Sequence, residues 1–457
     1  MIESIFRKQN LTEGNVPKVL FSFAIPLLLS NILHQLYTII DSIIVGQYVG
    51  KEALAAVTAS YPLFYFLISL VIGIGSGISV LISHYFGGKL LSEVQRISST
   101  YFIFLFAIGL LISWGGVWSA ETIFRWIETP PDVFSEAVSY FKIYISGTVM
   151  YIVFNGFVSV LRGVGDSATP LGLMVVSVVL NFILDILFVA VMGYGVQGAA
   201  IATWLSHACA LVLSFYYLNR HYTLLRFDRR SFCFDRTLFL EGLKLGIPAG
   251  VQQASLALGL VVLLRVVNEM GSDTLTAYGI VGRIESVISQ PMLVLGSALA
   301  AMVAQNLGAG LFDRAMNAFK IAIRWTFLLC FVLCGGMILF HVPIIRLFTN
   351  ESQVIEIASF YLILVFSFYI LNALTCVFNG FLRGVGDTFL PMLVNIVALW
   401  VIRLPFASWG CEIVGVKGIW YAIVFSWMIA LIVIIGYYYW GGWRKKQIVL
   451  RDHKLME

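Results

Sequence analysis

The sequence contains few charged residues for its length. Of its 457 residues, only 12% are Asp, Glu, Lys or Arg and 60% are hydrophobic, whereas a soluble globular protein carries about 25% charge. This scarcity excludes a set of water-soluble domains, a disordered chain and a nucleic-acid-binding protein, because too little polar surface is available to solvate a chain of this size. A net charge of +5 does not change this conclusion, since the placement of charges matters more than their sum.

Sequence motifs of catalysis and metal binding are also missing. The six cysteines form no CxxC pair, which argues against a disulfide framework and a zinc site. No HExxH or GxSxG motif occurs, and GQYVGKEA at 46–53 lacks the spacing and the hydroxyl residue of a phosphate-binding loop. We therefore predict that the protein is not an enzyme, holds no cofactor, and takes its energy from an ion gradient or from a partner. No small-residue cleavage site precedes the first hydrophobic run, so we predict no removable signal peptide.

What the sequence has instead is a series of apolar runs long enough to cross a bilayer. A spanning helix needs roughly 20 predominantly apolar residues. Such runs lie at about 17–45, 53–88, 98–120, 137–161, 168–193, 197–219, 240–268, 274–309, 318–341, 355–382, 388–410 and 415–440. We predict an all-α membrane protein with about twelve transmembrane helices.

The loops between these runs differ in basic residues. If the N-terminus is cytoplasmic, most Lys and Arg residues outside the spans fall on the cytoplasmic side, as the positive-inside rule requires. The outer side then holds only Lys51, Arg125, Lys142, Arg346 and Lys417. An odd number of spans would destroy this asymmetry. We therefore predict a multi-pass protein of the cell (inner or plasma) membrane with both termini in the cytoplasm.

The second half of the chain repeats the first. The segment LRGVGD occurs at 161–166 and again at 382–387, which is 221 residues later. GVQG at 195–198 and GVKG at 415–418 are 220 residues apart. Six spans per repeat is an even number, so both halves enter the membrane in the same direction. We predict two parallel six-helix bundles related by a pseudo-two-fold axis along the membrane normal, an arrangement typical of secondary transporters.

This repeat sets the predicted domain limits. An N-terminal six-helix bundle covers 1–219 and a C-terminal six-helix bundle covers 237–440. A polar, basic stretch at 220–236 is predicted to be a cytoplasmic linker, and 441–457 a basic cytoplasmic tail.

Three segments are similar to a known family. They are IPLLLSNILHQLYTIIDSIIVGQYVGKEALAAVT at 25–58, the paired LRGVGD, and NFILD at 181–185 followed by GVQGAAIAT at 195–203. In these segments, and over essentially all twelve spans, the chain resembles the multidrug and toxic compound extrusion (MATE) family. The resemblance implies an antiporter that exports amphipathic, often cationic organic compounds and is driven by inward flow of H⁺ or Na⁺.

Two acids lie inside apolar spans, Asp41 in the first and Asp185 in the fifth. A charged side chain at the bilayer centre costs about 3 kcal/mol on insertion scales, so both are expected to face the bundle interior. His34 and Tyr37 precede Asp41 by seven and four positions and share its helix face, and Asn181 stands likewise four residues before Asp185. The alternative is a purely structural role, in which the two buried acids accept hydrogen bonds from neighbouring amides and hydroxyls.

The family resemblance implies a cation site at Asp41, Asn181, Asp185 and Thr203. Carboxylate, amide and hydroxyl oxygens are the ligands that hard cations such as Na⁺ prefer. Two carboxylates brought together in a low dielectric also suit a carried proton. The coupling ion therefore stays open between H⁺ and Na⁺, and no other metal site is predicted.

The second half lacks an equivalent acidic cluster. In the NorM-like branch of the family the second half carries two acids, and the matching positions here hold Leu256 and Asn372. The resemblance is therefore closer to the DinF-like branch, with coupling through the first half. Candidate substrate-cavity residues are His34, Tyr37, Asn155 and Arg283. For Arg283 the alternative is pairing with an acid elsewhere.

The resemblance leaves a second function open, a flippase for a lipid-linked sugar or another lipid. Such relatives usually carry more cationic residues in their central cavity, so Asp41 and Asp185 favour drug export. The predicted partners are small organic cations or amphipathic drugs and the lipid bilayer, without nucleic acid. The protein is expected to act as a monomer.

Overall fold

The computed structural model describes residues 9–222 and 233–446, with all but seven of their side chains, which lie between residues 51 and 62. Long helices dominate because a chain in hydrocarbon must satisfy its backbone hydrogen bonds internally. The helices of the first half are α1 (Val16–Tyr48), α2 (Lys51–Gly87), α3 (Leu91–Trp126), α4 (Pro131–Gly163), α5 (Ala168–Asp185), which continues as a π-helical segment (Ile186–Val191), and α6 (Gly195–His221).

The second half follows the same order with more interruptions. Its helices are α7 (Arg236–Asn268), α8 (Ser272–Gly308), α9 (Phe312–Leu339), the short α10 (His341–Arg346), α11 (Ser352–Ser367), α12 (Tyr369–Val385), α13 (Phe389–Ile396), a π-helical segment (Val397–Arg403), α14 (Leu404–Val414), α15 (Lys417–Trp440) and a 3₁₀ turn (Gly442–Lys446). Within the described residues, 11 helical stretches are long and apolar enough to span a membrane, and α11 with α12, which meet at 46°, form a twelfth. The predicted fold class and number of spans are confirmed.

Contacts divide the chain into two compact units. Unit 1 contains Ile25–Gly250, and unit 2 contains Asn10–Ala24 together with the chain from Val251 onward. Helices α1 and α7 thus each change unit along their length, within two residues of Pro26 and Pro248 respectively. A proline inside a helix removes one backbone hydrogen bond and permits a bend. The domain limits predicted from the repeat stay a prediction, and the predicted linker lies mostly outside the described residues.

In unit 1, helices α2 and α7 approach each other until their backbones touch. Gly73 and Gly77 on α2 face Gly250 and Gly246 on α7. A Cβ atom added to Gly77 would lie 2.5 Å from the backbone nitrogen of Gly246, and one added to Gly73 would overlap the backbone of Gly250. Small residues four apart on both helices are typical of close helix packing in membranes.

The first LRGVGD segment forms a capped helix end. Helix α4 ends at Gly163, and Asp166 then turns its carboxylate toward the start of α5. Its Oδ1 accepts hydrogen bonds from the backbone N–H groups of Ala168 (3.0 Å) and Thr169 (2.9 Å), and its Oδ2 accepts one from the hydroxyl of Tyr222 (2.5 Å). Burial, with the neighbouring Asp166 carboxylate, raises the pKa of Tyr222 above its usual value, so the hydroxyl stays a donor.

The second LRGVGD segment has an equivalent arrangement. Asp387 is buried, and its Oδ2 accepts a hydrogen bond of 2.6 Å from the hydroxyl of Tyr437. Its Oδ1 lies 3.0 Å from the Nζ of Lys446. In each half, therefore, the repeated aspartate directly precedes the fifth span and accepts a hydrogen bond from a tyrosine at or just after the end of the sixth.

We expect Tyr222→Phe to lower the free energy of unfolding by about 1 to 3 kcal/mol, because it removes a buried hydrogen bond to a carboxylate. The measurement is thermal unfolding of the purified protein in detergent. The control is Tyr216→Phe, whose hydroxyl accepts an exposed hydrogen bond from Arg220 and whose loss should change little. Equal melting temperatures for Tyr222→Phe and wild type would contradict the role given to this contact.

Candidate functional site

The two acids within the spans come together in unit 1. Asp41, on α1, and Asp185, at the end of α5, are both buried and interact electrostatically with each other. Oδ1 of Asp41 and both carboxylate oxygens of Asp185 accept no hydrogen bond from any residue that the structure describes. Buried carboxylates normally have donors, so these oxygens are available to a cation or to a proton.

The other two predicted coupling residues lie beside them. Asn181, one turn before Asp185 on α5, is buried, and its amide nitrogen has no acceptor within the described residues. The Oγ1 of Thr203, on α6, lies 2.9 Å from the hydroxyl oxygen of Tyr37. That tyrosine also interacts electrostatically with Asp41 and Asp185, so α1, α5 and α6 each contribute polar groups to one cluster.

Aromatic residues line this cluster. Tyr140, on α4, interacts electrostatically with both carboxylates, as Tyr37 does. The buried His207 places Nδ1 2.9 Å from the carbonyl oxygen of Thr203, and its ring centre lies 4.9 Å from that of Tyr151 and 6.3 Å from that of Tyr37. From the sequence, His207 is expected to be a packing residue and Tyr140 is not singled out, so the structure adds both residues to the cluster.

The four predicted substrate-cavity residues lie in different parts of the structure. His34 is exposed on α1, and its ring centre lies 6.2 Å from that of Tyr37. Asn155 donates from Nδ2 to the carbonyl oxygen of Tyr151 on its own helix (2.9 Å). Arg283 is exposed on α8, in unit 2. The structure therefore brings His34 and Tyr37 together, and the shared role of all four residues stays a prediction.

The backbone changes its helical geometry next to Asp185. From Ile186 to Val191 the chain is π-helical, and the N–H of Met192 donates to the carbonyl of Leu187 at 2.9 Å, five residues back. Single-turn π segments are rare and are frequent at functional sites. The wider turn rotates the side chains that follow Asp185 around the helix axis. Residues after Asp185 therefore point in directions that differ from those of a regular α-helix.

Unit 2 contains a different polar group. Arg403, at the end of the second π-helical segment, donates from Nε to the hydroxyl of Ser426 at 2.9 Å, and its Cζ lies 5.7 Å from the ring centre of Trp427. It also interacts electrostatically with Glu285 of α8. A cation paired with a hydroxyl, a ring and an acid is internally compensated, in contrast to the acids of unit 1.

Within the described residues, no basic group compensates the two acids of the unit 1 cluster. No Lys or Arg of 9–222 or 233–446 forms an ion pair with Asp41 or Asp185. In the same ranges no three His, Cys, Asp or Glu side chains gather as a transition-metal site requires. Two buried carboxylates without a cation are costly. The cluster therefore suits a monovalent cation or a proton better than a transition metal.

Comparisons with known proteins agree with this architecture. The MatE family model matches the chain twice, at residues 26–187 and 248–409, so the internal repeat is also a repeat of the family unit. The chain belongs to the MATE family. Each matched segment covers most of the transmembrane part of one half of the chain. The first segment contains Asp41, Asn181 and Asp185.

The relatives of this MATE protein are full-length matches. It is 30% identical to the "Probable multidrug resistance protein YoeA" of Bacillus subtilis, over 96% of this chain and 97% of that protein. It is 26% identical to the "FAD transporter" of Shewanella oneidensis, over 90% of this chain and 92% of that protein. A solved structure described as the outward-facing conformation of a multidrug resistance MATE family transporter has the same fold, with a TM-score of 0.88, 24% identity, and coverage of 95% of this chain and 98% of that one. The protein is thus a multi-pass membrane protein of a transporter family.

Proposed function

We infer that the protein is an ion-coupled exporter of amphipathic, often cationic organic compounds. The observation that supports this most directly is the cluster of Asp41 and Asp185, two buried acids. Among the described residues they have no basic partner, and Oδ1 of Asp41 and both oxygens of Asp185 have no donor. An intramembrane acid of this kind is expensive and is characteristic of ion pathways. Membership of a transporter family supplies the context in which such a pathway drives export.

The coupling step is proposed to occur in unit 1. A proton or Na⁺ that enters binds the oxygens of Asp41 and Asp185, with Asn181 and Thr203 as further ligands for Na⁺. Binding removes the repulsion between the carboxylates and changes which side-chain arrangement around Tyr37 is favoured. An ion shifts a conformational equilibrium only by its different affinity for the two states. Export further requires that ion and substrate disfavour each other's binding.

The substrate class is supported by chemistry and by names of relatives. His34 and Tyr37 offer aromatic faces beside an acidic cluster, which is the combination that recognises organic cations. One relative is named as a multidrug resistance protein and another as an FAD transporter. The flippase function is less well supported, because the unit 1 cluster is acidic and neither of these two relatives is named for a lipid.

We place both termini in the cytoplasm of a cell membrane, from the distribution of Lys and Arg in the sequence. The protein acts as a monomer, and its coupling through the first half is that of the DinF-like branch.

The experiment that tests this function is transport in proteoliposomes with a fluorescent organic cation, under a Na⁺ gradient or a pH gradient imposed separately. We expect uphill dye movement with one of the two gradients and none without a gradient. Protein-free vesicles are the control for dye that follows the gradient alone. Dye movement that is equal with and without gradients would contradict ion coupling, and movement of a labelled lipid in place of the dye would favour the flippase.

A further inference from the structure

Two cysteines lie one turn apart on helix α9 of unit 2. Cys330 and Cys334 are both buried, with exposures of 7% and 4%, and their thiols are within hydrogen-bonding distance of each other. Neither cysteine forms a disulfide. The coupling step proposed for unit 1 does not involve this pair.

The spacing of the pair suits a bridge of one inserted atom. Cβ atoms four residues apart on a helix are about 5 to 6 Å from each other, whereas a disulfide needs Cβ atoms about 3.5 to 4.5 Å apart. Helix α9 is continuous from Phe312 to Leu339, so a direct S–S bond would require distortion of its backbone. One atom that bonds to both sulfurs spans the gap without that distortion.

The surroundings of the pair favour a neutral bridge. Both cysteines belong to the hydrophobic core of unit 2, and Leu329, Leu333 and Met337 of the same helix pack against that core. Soft thiolate ligands select ions such as Cu⁺, but two thiolates around a monovalent ion leave a net negative charge. Such a charge is costly within a membrane span, so the site is better suited to a group that binds both sulfurs without residual charge.

The number of thiols selects the bridging group further. Cys376, on α12, interacts electrostatically with Cys330, yet nowhere in 9–222 and 233–446 do three His, Cys, Asp or Glu side chains gather closely enough to hold one ion. Inorganic arsenite has three exchangeable hydroxyls and is held best by three thiols. An organic arsenic(III) compound has one position taken by carbon and needs only two, and its pyramidal geometry sets both sulfurs on the same side.

A neutral reagent can reach this part of α9 from the bilayer. Phe327 and Phe331 are 54% and 81% exposed on the same helix, as expected of a surface in contact with lipid. A Cβ atom added to Gly335 or Gly336 would meet no atom within 4 Å. The helix next to Cys334 is therefore open to a small apolar molecule.

We propose that Cys330 and Cys334 form a binding site for trivalent organoarsenicals such as methylarsenous acid. In this reaction CH₃As(OH)₂ condenses with two S–H groups to give CH₃As bonded to both sulfurs and two molecules of water. Two As–O and two S–H bonds break, two As–S and two O–H bonds form, and each hydroxyl leaves with a thiol proton. Arsenic stays trivalent, so no oxidant or reductant is needed, and the product is neutral.

The test is titration of the reduced, purified full-length protein with methylarsenous acid, with glutathione present to compete for adducts on single thiols. Mass spectrometry and a count of free thiols should show one arsenical and two lost thiols per chain, on the peptide that contains both cysteines. Cys330→Ser and Cys334→Ser should each bind at least about a hundredfold more weakly, because the second attachment is lost. Cys209→Ser, which replaces a half-buried thiol of unit 1, is the matched control and should bind as wild type does.

Several results would overturn the proposal. They are adducts on single thiols, no adduct retained against glutathione, or undiminished binding by Cys330→Ser or Cys334→Ser. Loss of binding in Cys376→Ser, or inorganic arsenite held as tightly as methylarsenous acid, would likewise contradict a site of two thiols. The peptide map of the wild type decides the outcome even if a substitution unfolds the protein, and Cys330→Ala provides a second variant without a new hydroxyl. Because binding needs no gradient, the result is independent of the proposed export function.

Discussion

Replacing Asp41 with Asn is expected to abolish gradient-driven export while the protein still inserts and folds. The amide keeps the shape of the side chain but neither carries the coupling proton nor supplies the negative charge that holds Na⁺. Asp41 is buried, and its Oδ1 has no donor among the described residues, so the substitution removes an uncompensated charge. We therefore expect a melting temperature equal to or above that of the wild type, because functional sites are often built at the expense of stability.

The measurement is uphill dye transport in proteoliposomes under the effective gradient, together with thermal unfolding in detergent. Asp185→Asn should behave in the same way, because the two carboxylates interact. Asp132→Asn is the control, since this acid is exposed at the start of α4 in the same unit and its replacement should leave export intact. If the double variant that lacks Asp41 and Asp185 still transports dye against its gradient at the wild-type rate, the coupling role of this cluster is wrong.

The second large effect is expected where α2 and α7 touch. Gly77→Leu places a branched side chain where even a Cβ atom would lie 2.5 Å from the backbone of Gly246. Overpacking of this kind costs about 1 to 3 kcal/mol when neighbouring side chains can yield, and here the neighbour is backbone, which yields less. We expect little or no folded protein, seen as loss of the monodisperse peak in size-exclusion chromatography.

Two further variants make this prediction specific. Gly77→Ala should fold with a lower melting temperature, because one methyl group requires a smaller shift. Gly115→Ala, on α3, adds a Cβ where no atom lies within 4 Å and should be neutral or slightly stabilising, since alanine favours a helix by about 1 kcal/mol over glycine. Wild-type stability of Gly77→Leu would show that the two helices can separate without loss.

The sequence was sufficient for the fold class, the number of spans and the repeat. Each of these depends on the length of apolar runs and on matched motifs, which are local or periodic features. The proximity of Asp41 and Asp185 was also predictable, because an acid in an apolar span must face the interior and the family supplied the pairing. The role of LRGVGD as a helix end follows from its glycines and from an aspartate able to cap the next helix.

Other features needed the structure. The break at Phe368 separates α11 from α12 without a proline or glycine nearby, so no local signal marks it. The π-helical segments Ile186–Val191 and Val397–Arg403 were likewise not predicted from the sequence, because such segments are rare and an α-helix is the expectation for an apolar span. His207 looked like a packing residue, since a single histidine in an apolar span gives no indication of its neighbours.

The distribution of α1 and α7 between the units bears on how the chain is assembled during synthesis. Residues Asn10–Ala24 belong to unit 2, whose other members emerge from the ribosome more than two hundred residues later, and unit 1 is completed only by the opening turns of α7. Neither half-transporter would therefore be self-sufficient if the gene were cut between residues 222 and 233. Because each unit includes a helix segment from the other half of the sequence, neither unit can complete its folding until both halves have been synthesised.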